Sequence, residues 1–122
     1  MATQYGVEAY TTDTFGRVVC TVRHHPFVAD GPVQNGCLGE AIMPGELFLS
    51  GVACCGMELI QVLAKDMSLP LKKAQVVVEG ESGVRHPVRT DLTVFNRVSL
   101  AFTLEGVTES EAAQLIEAFK GR

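Results

Sequence analysis

Two periodicities divide the chain. Over residues 5–11 and 15–23 apolar and polar positions alternate, and the second stretch, FGRVVCTVR, is rich in β-branched residues. Both predict strands. TDTFG between them supplies turn chemistry. Residues 24–46, HHPFVADGPVQNGCLGEAIMPGE, are rich in Pro, Gly and Asn and read as loop, with a third strand at 25–29 and a turn at Asn35-Gly36. From Pro44 the pattern changes to a long apolar run that predicts a helix over 44–66, ending before Pro70. Pro44 suits a first helical turn, and Glu46 lies where the helix dipole favours an acid.

Alternation returns at 72–81 (KKAQVVVEGE) and 91–105 (DLTVFNRVSLAFTLE), two further strands, the second long enough to bend or bulge near Asn96. The tail TESEAAQLIEAF opens with Thr108 and Glu111, the spacing of a capping box. It then repeats Ala112, Leu115, Ile116 and Phe119 at helical intervals. The order is β-β-(β)-α-β-β-α without internal repeat. It predicts one α+β domain over 1–122, with helices packed on an antiparallel sheet.

Composition sharpens this picture. At 122 residues the hydrophobic fraction is 47% and the mean hydropathy +0.21, high for a small soluble monomer, so part of the apolar surface is expected between subunits. Net charge is −4 and the basic residues are scattered, which argues against nucleic-acid binding and against a polybasic membrane anchor. The segment 47–64, LFLSGVACCGMELIQVLA, has the length of a membrane span, but Glu58 and Gln61 lie inside it and Glu46 and Asp66 flank it. Charge within a span is costly, so the expectation is a helix buried in protein and no membrane. MATQYGVEAYTTDT lacks the basic start and apolar block of a signal peptide, which leaves a cytoplasmic chain with reduced thiols.

The cysteines are 20, 37, 54 and 55, with no Cys-x-x-Cys, so no zinc site is expected. Adjacent His24 and His25 on an extended segment face opposite ways and do not suit a shared metal, and His86 likewise reads as a loop or edge residue. No metal or cofactor is expected. On a helix, Ser50, Cys54, Glu58, Gln61 and Lys65 form one polar stripe, and Cys55 falls beside Phe48, Gly51, Leu59 and Val62. Spacing alone leaves two readings open. In one the stripe is a solvated seam and Cys55 a small core residue. In the other one of the two cysteines is a nucleophile, with spacing favouring Cys54 for polar company and a Cys55 thiolate needing a cation from elsewhere in the fold or from a partner chain.

The segment MPGELFLSGVACCGMELIQVLA at 43–64 resembles the helix-opening Pro-x-Glu-Leu…Cys segment of the OsmC/Ohr family, the osmotically inducible protein C and organic hydroperoxide resistance proteins. PLKKAQVVVEGE, VSLAFTLEGVTESEAAQLIEAF and the early TTDTFGR are similar to other parts of that family, so the resemblance covers nearly the whole chain. It implies an OsmC-like fold: an antiparallel sheet, a long buried central helix and a C-terminal helix, in an intertwined homodimer with its sites at the subunit boundary. It also implies a peroxide-reacting cysteine eleven residues after the helix-opening proline, which is Cys55. Cys54 becomes a possible auxiliary.

The resemblance further implies an arginine from an early strand or loop. Arg17 is the best match and Arg23 the second. A guanidinium there lowers the thiol pKa and donates to the peroxide. Two departures stand out. The peroxidase branches carry a glutamate directly after the proline to orient the arginine, whereas here that residue is Gly45 and the acid is Glu46, with Glu58 an alternative. They also carry a second cysteine near the C-terminal helix, and this sequence has none after Cys55. The expectation is therefore a thiol hydroperoxide reductase that uses Cys55, Arg17 and Glu46 with an external thiol reductant. The alternative is a non-enzymatic domain of the same fold that binds a small apolar ligand.

Overall fold

The computed structural model describes residues 3–82 and 95–121. The chain divides into two compact units, residues 1–48 and 49–122, with the boundary just inside the long helix.

The first unit is an antiparallel meander of β1 (Glu8–Thr11), β2 (Arg17–Val22) and β3 (His25–Asp30). The β1–β2 turn is closed by Thr12, whose hydroxyl donates to the Arg17 carbonyl at 3.0 Å and accepts from the Thr14 N–H at 3.1 Å. Gly16 completes the turn with φ +82, and a Cβ there would run into the Cys37 sulfur. Between β2 and β3 only Arg23 and His24 intervene, with Arg23 at φ 56, so the pairing register is fixed by a two-residue turn. A 3-10 turn at Val33–Asn35 follows and ends on Gly36 at φ 85, as Asn35-Gly36 suggests. The Asp30 N–H then bonds the Ile42 carbonyl at 3.1 Å, which ties the returning chain to β3.

The second unit holds most of α1 (Pro44–Asp66), then β4 (Lys73–Ser82), β5 (Phe95–Glu105) and α2 (Glu109–Lys120). Glu46 accepts from the N–H of Met43 at 2.9 Å and so caps the start of α1. At the far end Leu69 N–H bonds Ala64 O at 2.9 Å and Ser68 N–H bonds Lys65 O at 3.1 Å, with Ser68 at φ 56. This is a Schellman stop in which serine occupies the left-handed position usually given to glycine. β4 and β5 pair antiparallel from Lys73↔Glu105 to Ser82↔Phe95, and the register skips Asn96 between Arg97 and Phe95, the bulge the sequence suggests. Residues 91–94 of the expected strand, and His86, lie outside the described residues. α2 opens with both halves of the capping box between Thr108 and Glu111.

The core of this unit is Ile60, Leu63, Ala64 and Leu115, flanked by Phe102, Leu104 and Phe119. Phe102 and Phe119 meet edge-on, with ring centroids 5.0 Å apart. Gly56 admits the sheet closely: a Cβ would lie 3.4 Å from Leu100 and from Phe102. The fold is α+β as expected, with an antiparallel sheet of three strands, another of two, and two helices. Among the described residues α1, long and apolar enough to cross a membrane by length and composition, buries Gly56, Ile60, Leu63 and Ala64 within this chain.

Candidate functional site

Arg17 is the first residue of β2 and Asp30 the last of β3, and the register makes them direct cross-strand partners. Their side chains form a two-point ion pair: Nε to Oδ1 and Nη2 to Oδ2, each at 2.7 Å. Nη2 also donates to Glu40 Oε1 at 3.0 Å. Asp30 is 1% exposed, and its Oδ2 further accepts the backbone N–H groups of Glu40 at 2.9 Å and Ala41 at 2.8 Å. The hydrogen bond from Arg17, then those from Ala41 and Glu40, hold the Asp30 carboxyl well below the usual carboxylate range against the opposing effect of burial. The same bonds to Asp30 and Glu40 raise the Arg17 guanidinium above its ordinary value.

Asp30 and Glu40 are the partners of Arg17 that reading the sequence missed. The signal for Asp30 was present, because a two-residue turn at Arg23-His24 sets residue 30 opposite residue 17. Among the described residues the carboxylates that bond Arg17 are Asp30 and Glu40, and Glu46 accepts from the Met43 N–H. Arg23 is an exposed turn residue.

The cysteines of α1 lie in the second unit. Both Cys54 and Cys55 are free and exposed, so within this chain Cys55 is not the core residue that one reading of its apolar neighbours suggested. An open hollow of about 550 Å³ runs along this helix, lined by Ala53, Cys54, Met57, Glu58, Gln61 and Val62. It thus brings together Cys54 and Glu58 rather than Cys55. Helical periodicity grouped Cys54, Glu58 and Gln61 correctly, while Met57 and Val62 make the hollow more apolar than the stripe suggested. Cys20 is buried in β2, and Cys37 is half-buried with its sulfur against Gly16 and Gly31. No cluster of three or more potential metal ligands occurs among the described residues.

The family model for OsmC-like protein matches residues 38–122. The chain belongs to the OsmC-like protein family. The matched span includes Glu46, Cys54, Cys55 and Glu58 of this OsmC-like chain, and lies beyond Arg17, Arg23 and Asp30. Among solved structures it is similar to an OsmC-like protein from Mycoplasma pneumoniae, at 18% identity and TM-score 0.81, covering 100% of this chain and 84% of that one. It is also similar to an organic hydroperoxide resistance protein OsmC from Legionella pneumophila, at 21% identity and TM-score 0.73, covering 98% and 83%. A third is an organic hydroperoxide resistance protein from Elizabethkingia anophelis with thiocyanate bound, at 21% identity and TM-score 0.75, covering 98% and 84%. At these identities the likeness is one of fold. Comparison with curated proteins returns no significant match.

Proposed function

We propose that this OsmC-like chain reduces organic hydroperoxides at one reactive cysteine, Cys55, as a cytoplasmic homodimer served by an external thiol. The observation that carries the reading is a free, exposed thiol eleven residues after Pro44, on the helix of a chain that belongs to this family. The hydroperoxide resistance proteins of the same fold support it. The Cys55 thiolate attacks one peroxide oxygen and the O–O bond breaks. The alkoxide leaves, takes a proton and becomes the alcohol, while the sulfur, oxidised by two electrons, is left as a sulfenic acid. Arg17, from the same chain or from its partner, donates to the leaving oxygen. An external thiol then condenses with the sulfenic acid, releasing water, and a second thiol reduces the mixed disulfide and returns Cys55.

A second reading, retention of a small apolar ligand without turnover, is favoured by the hollow beside Cys54 with its Ala53, Met57 and Val62 lining. One experiment separates the two. The protein is treated with one equivalent of cumene hydroperoxide in the presence of dimedone, and intact mass is followed for wild type, Cys54→Ser and Cys55→Ser. Peroxidase chemistry gives a rapid adduct that only Cys55→Ser abolishes. If no adduct forms within minutes, the peroxidase reading fails and the binding reading stands.

A further inference from the structure

We infer that Asp30, assisted by Glu40, is the positioning residue that fixes Arg17 for the thiol chemistry of Cys55, an assignment that rests on the reading of Cys55 and Arg17 just given. Orienting the arginine is the task expected of Glu46, one residue displaced along α1 from the usual place. The carboxylate that holds the guanidinium lies elsewhere, at the end of β3. Two 2.7 Å bonds, from Nε and Nη2 to the two oxygens of one carboxylate, fix its rotation as well as its position. Asp30 is fixed in turn: it is 1% exposed and held by two backbone N–H groups.

With Nε on one oxygen and Nη2 shared between Asp30 and Glu40, the Nη1 edge has no acceptor among the described residues. That edge is the one left to meet an anion or a leaving oxygen. Arg17 therefore works from a fixed mount rather than swinging between partners, and its side chain is 28% exposed. The cluster of one cation and two carboxylates carries a net negative charge. Its action on the peroxide is consequently a directed hydrogen bond more than a field of positive potential. Glu46 has a separate duty at the start of α1, where it caps the Met43 N–H.

The test is a double-mutant cycle. In a Cys54→Ser background the rate of Cys55 oxidation by cumene hydroperoxide is measured for the parent, Asp30→Asn, Arg17→Gln and the double variant. The pH profile of Cys55 alkylation by iodoacetamide is recorded alongside, with circular dichroism to confirm folding. Asp30→Asn is expected to slow oxidation at least about tenfold and to shift the alkylation midpoint. In the Arg17→Gln background it should change neither. Glu40→Gln, at an exposed position, gives the same pattern at smaller amplitude and stands in should Asp30→Asn fail to fold.

An effect of Asp30→Asn that persists undiminished without Arg17 reduces Asp30 to a structural residue and overturns the inference. So does a parent-like rate and profile, or the finding that Glu46→Gln, rather than Asp30→Asn, shows the Arg17-dependent pattern. If the parent reacts with peroxide no faster than free cysteine, the peroxidase reading fails. The alkylation cycle then still decides whether Asp30 acts on Cys55 through Arg17.

Discussion

A carboxylate buried at the end of β3 and bonded by Arg17, Ala41 and Glu40 must release its proton far more readily in the folded chain than in the unfolded one. Because the folded pKa lies below the unfolded one, the stability this group contributes is fully present above about pH 4, the unfolded value for aspartate. It drains away as pH falls through that value towards the folded one. Asp30→Asn should therefore lower the urea midpoint at neutral pH, and its gap from wild type should narrow steadily below about pH 4. Parallel urea titrations at several pH values check this, and a gap independent of pH would contradict it. Other residues differ in how openly the sequence displays them. Thr108 and Glu111 announce their capping box by spacing alone, since both partners lie within one turn. Asp30 needed the hairpin register to be worked out first, and Glu40 needed the path of a loop, which no periodicity encodes.

The elements themselves were written plainly, because their signals are local. Pro44 and Pro70 bracket α1, and alternation marks β4 and β5 down to the bulge at Asn96. Division into two sheets was not legible, since pairing between strands distant in sequence leaves no mark on either strand alone. Nor could periodicity show which face of α1 meets its core: it ranks residues relative to one another, and the burial of Gly56, Ile60, Leu63 and Ala64, with Leu100 and Phe102 close over Gly56, settles the rotation. The close approach at Gly56 makes a clear test. Gly56→Val forces branched carbons into a space where even a Cβ would sit at 3.4 Å, and should cost about 1–3 kcal/mol in thermal or urea unfolding. At the other end of the helix the expectation is reversed. Ser68 holds φ 56 as the Schellman residue, so Ser68→Gly should relieve a left-handed backbone and raise stability by up to about 1 kcal/mol. A lowered melting temperature for Ser68→Gly would show that the serine has gained more from its surroundings than its backbone loses.

The described residues leave many large apolar side chains exposed. Buried hydrophobic residues are Cys20, Ala29, Ile60, Leu63, Ala64 and Leu115, mostly small or aliphatic, whereas Tyr5, Phe15, Val33 and Phe48 are among the large ones left more than half exposed. On α1, Phe48 at 56% and Val62 at 41% accompany the exposed cysteines. Such patches mark association surfaces, and a second copy of this chain is the occupant the proposed homodimer supplies. Sedimentation should then give a mass about twice 13.1 kDa, and Val62→Glu should shift it towards 13.1 kDa. Dimerisation also makes the origin of the two site residues testable. Arg17→Gln retains Cys55 but lacks the arginine, and Cys55→Ser retains the arginine but lacks the thiol, so neither homodimer has a complete site. If Arg17 serves the partner's thiol, co-expressing the two variants builds one intact site in each mixed dimer and restores about a quarter of wild-type peroxide consumption. If Arg17 serves the thiol of its own chain, every site in the mixture lacks one member and activity stays at the level of the separate variants. Recovery would make the dimer the catalytic unit; its absence, in a mixture shown by mass to contain mixed dimers, would leave each chain with a complete site of its own.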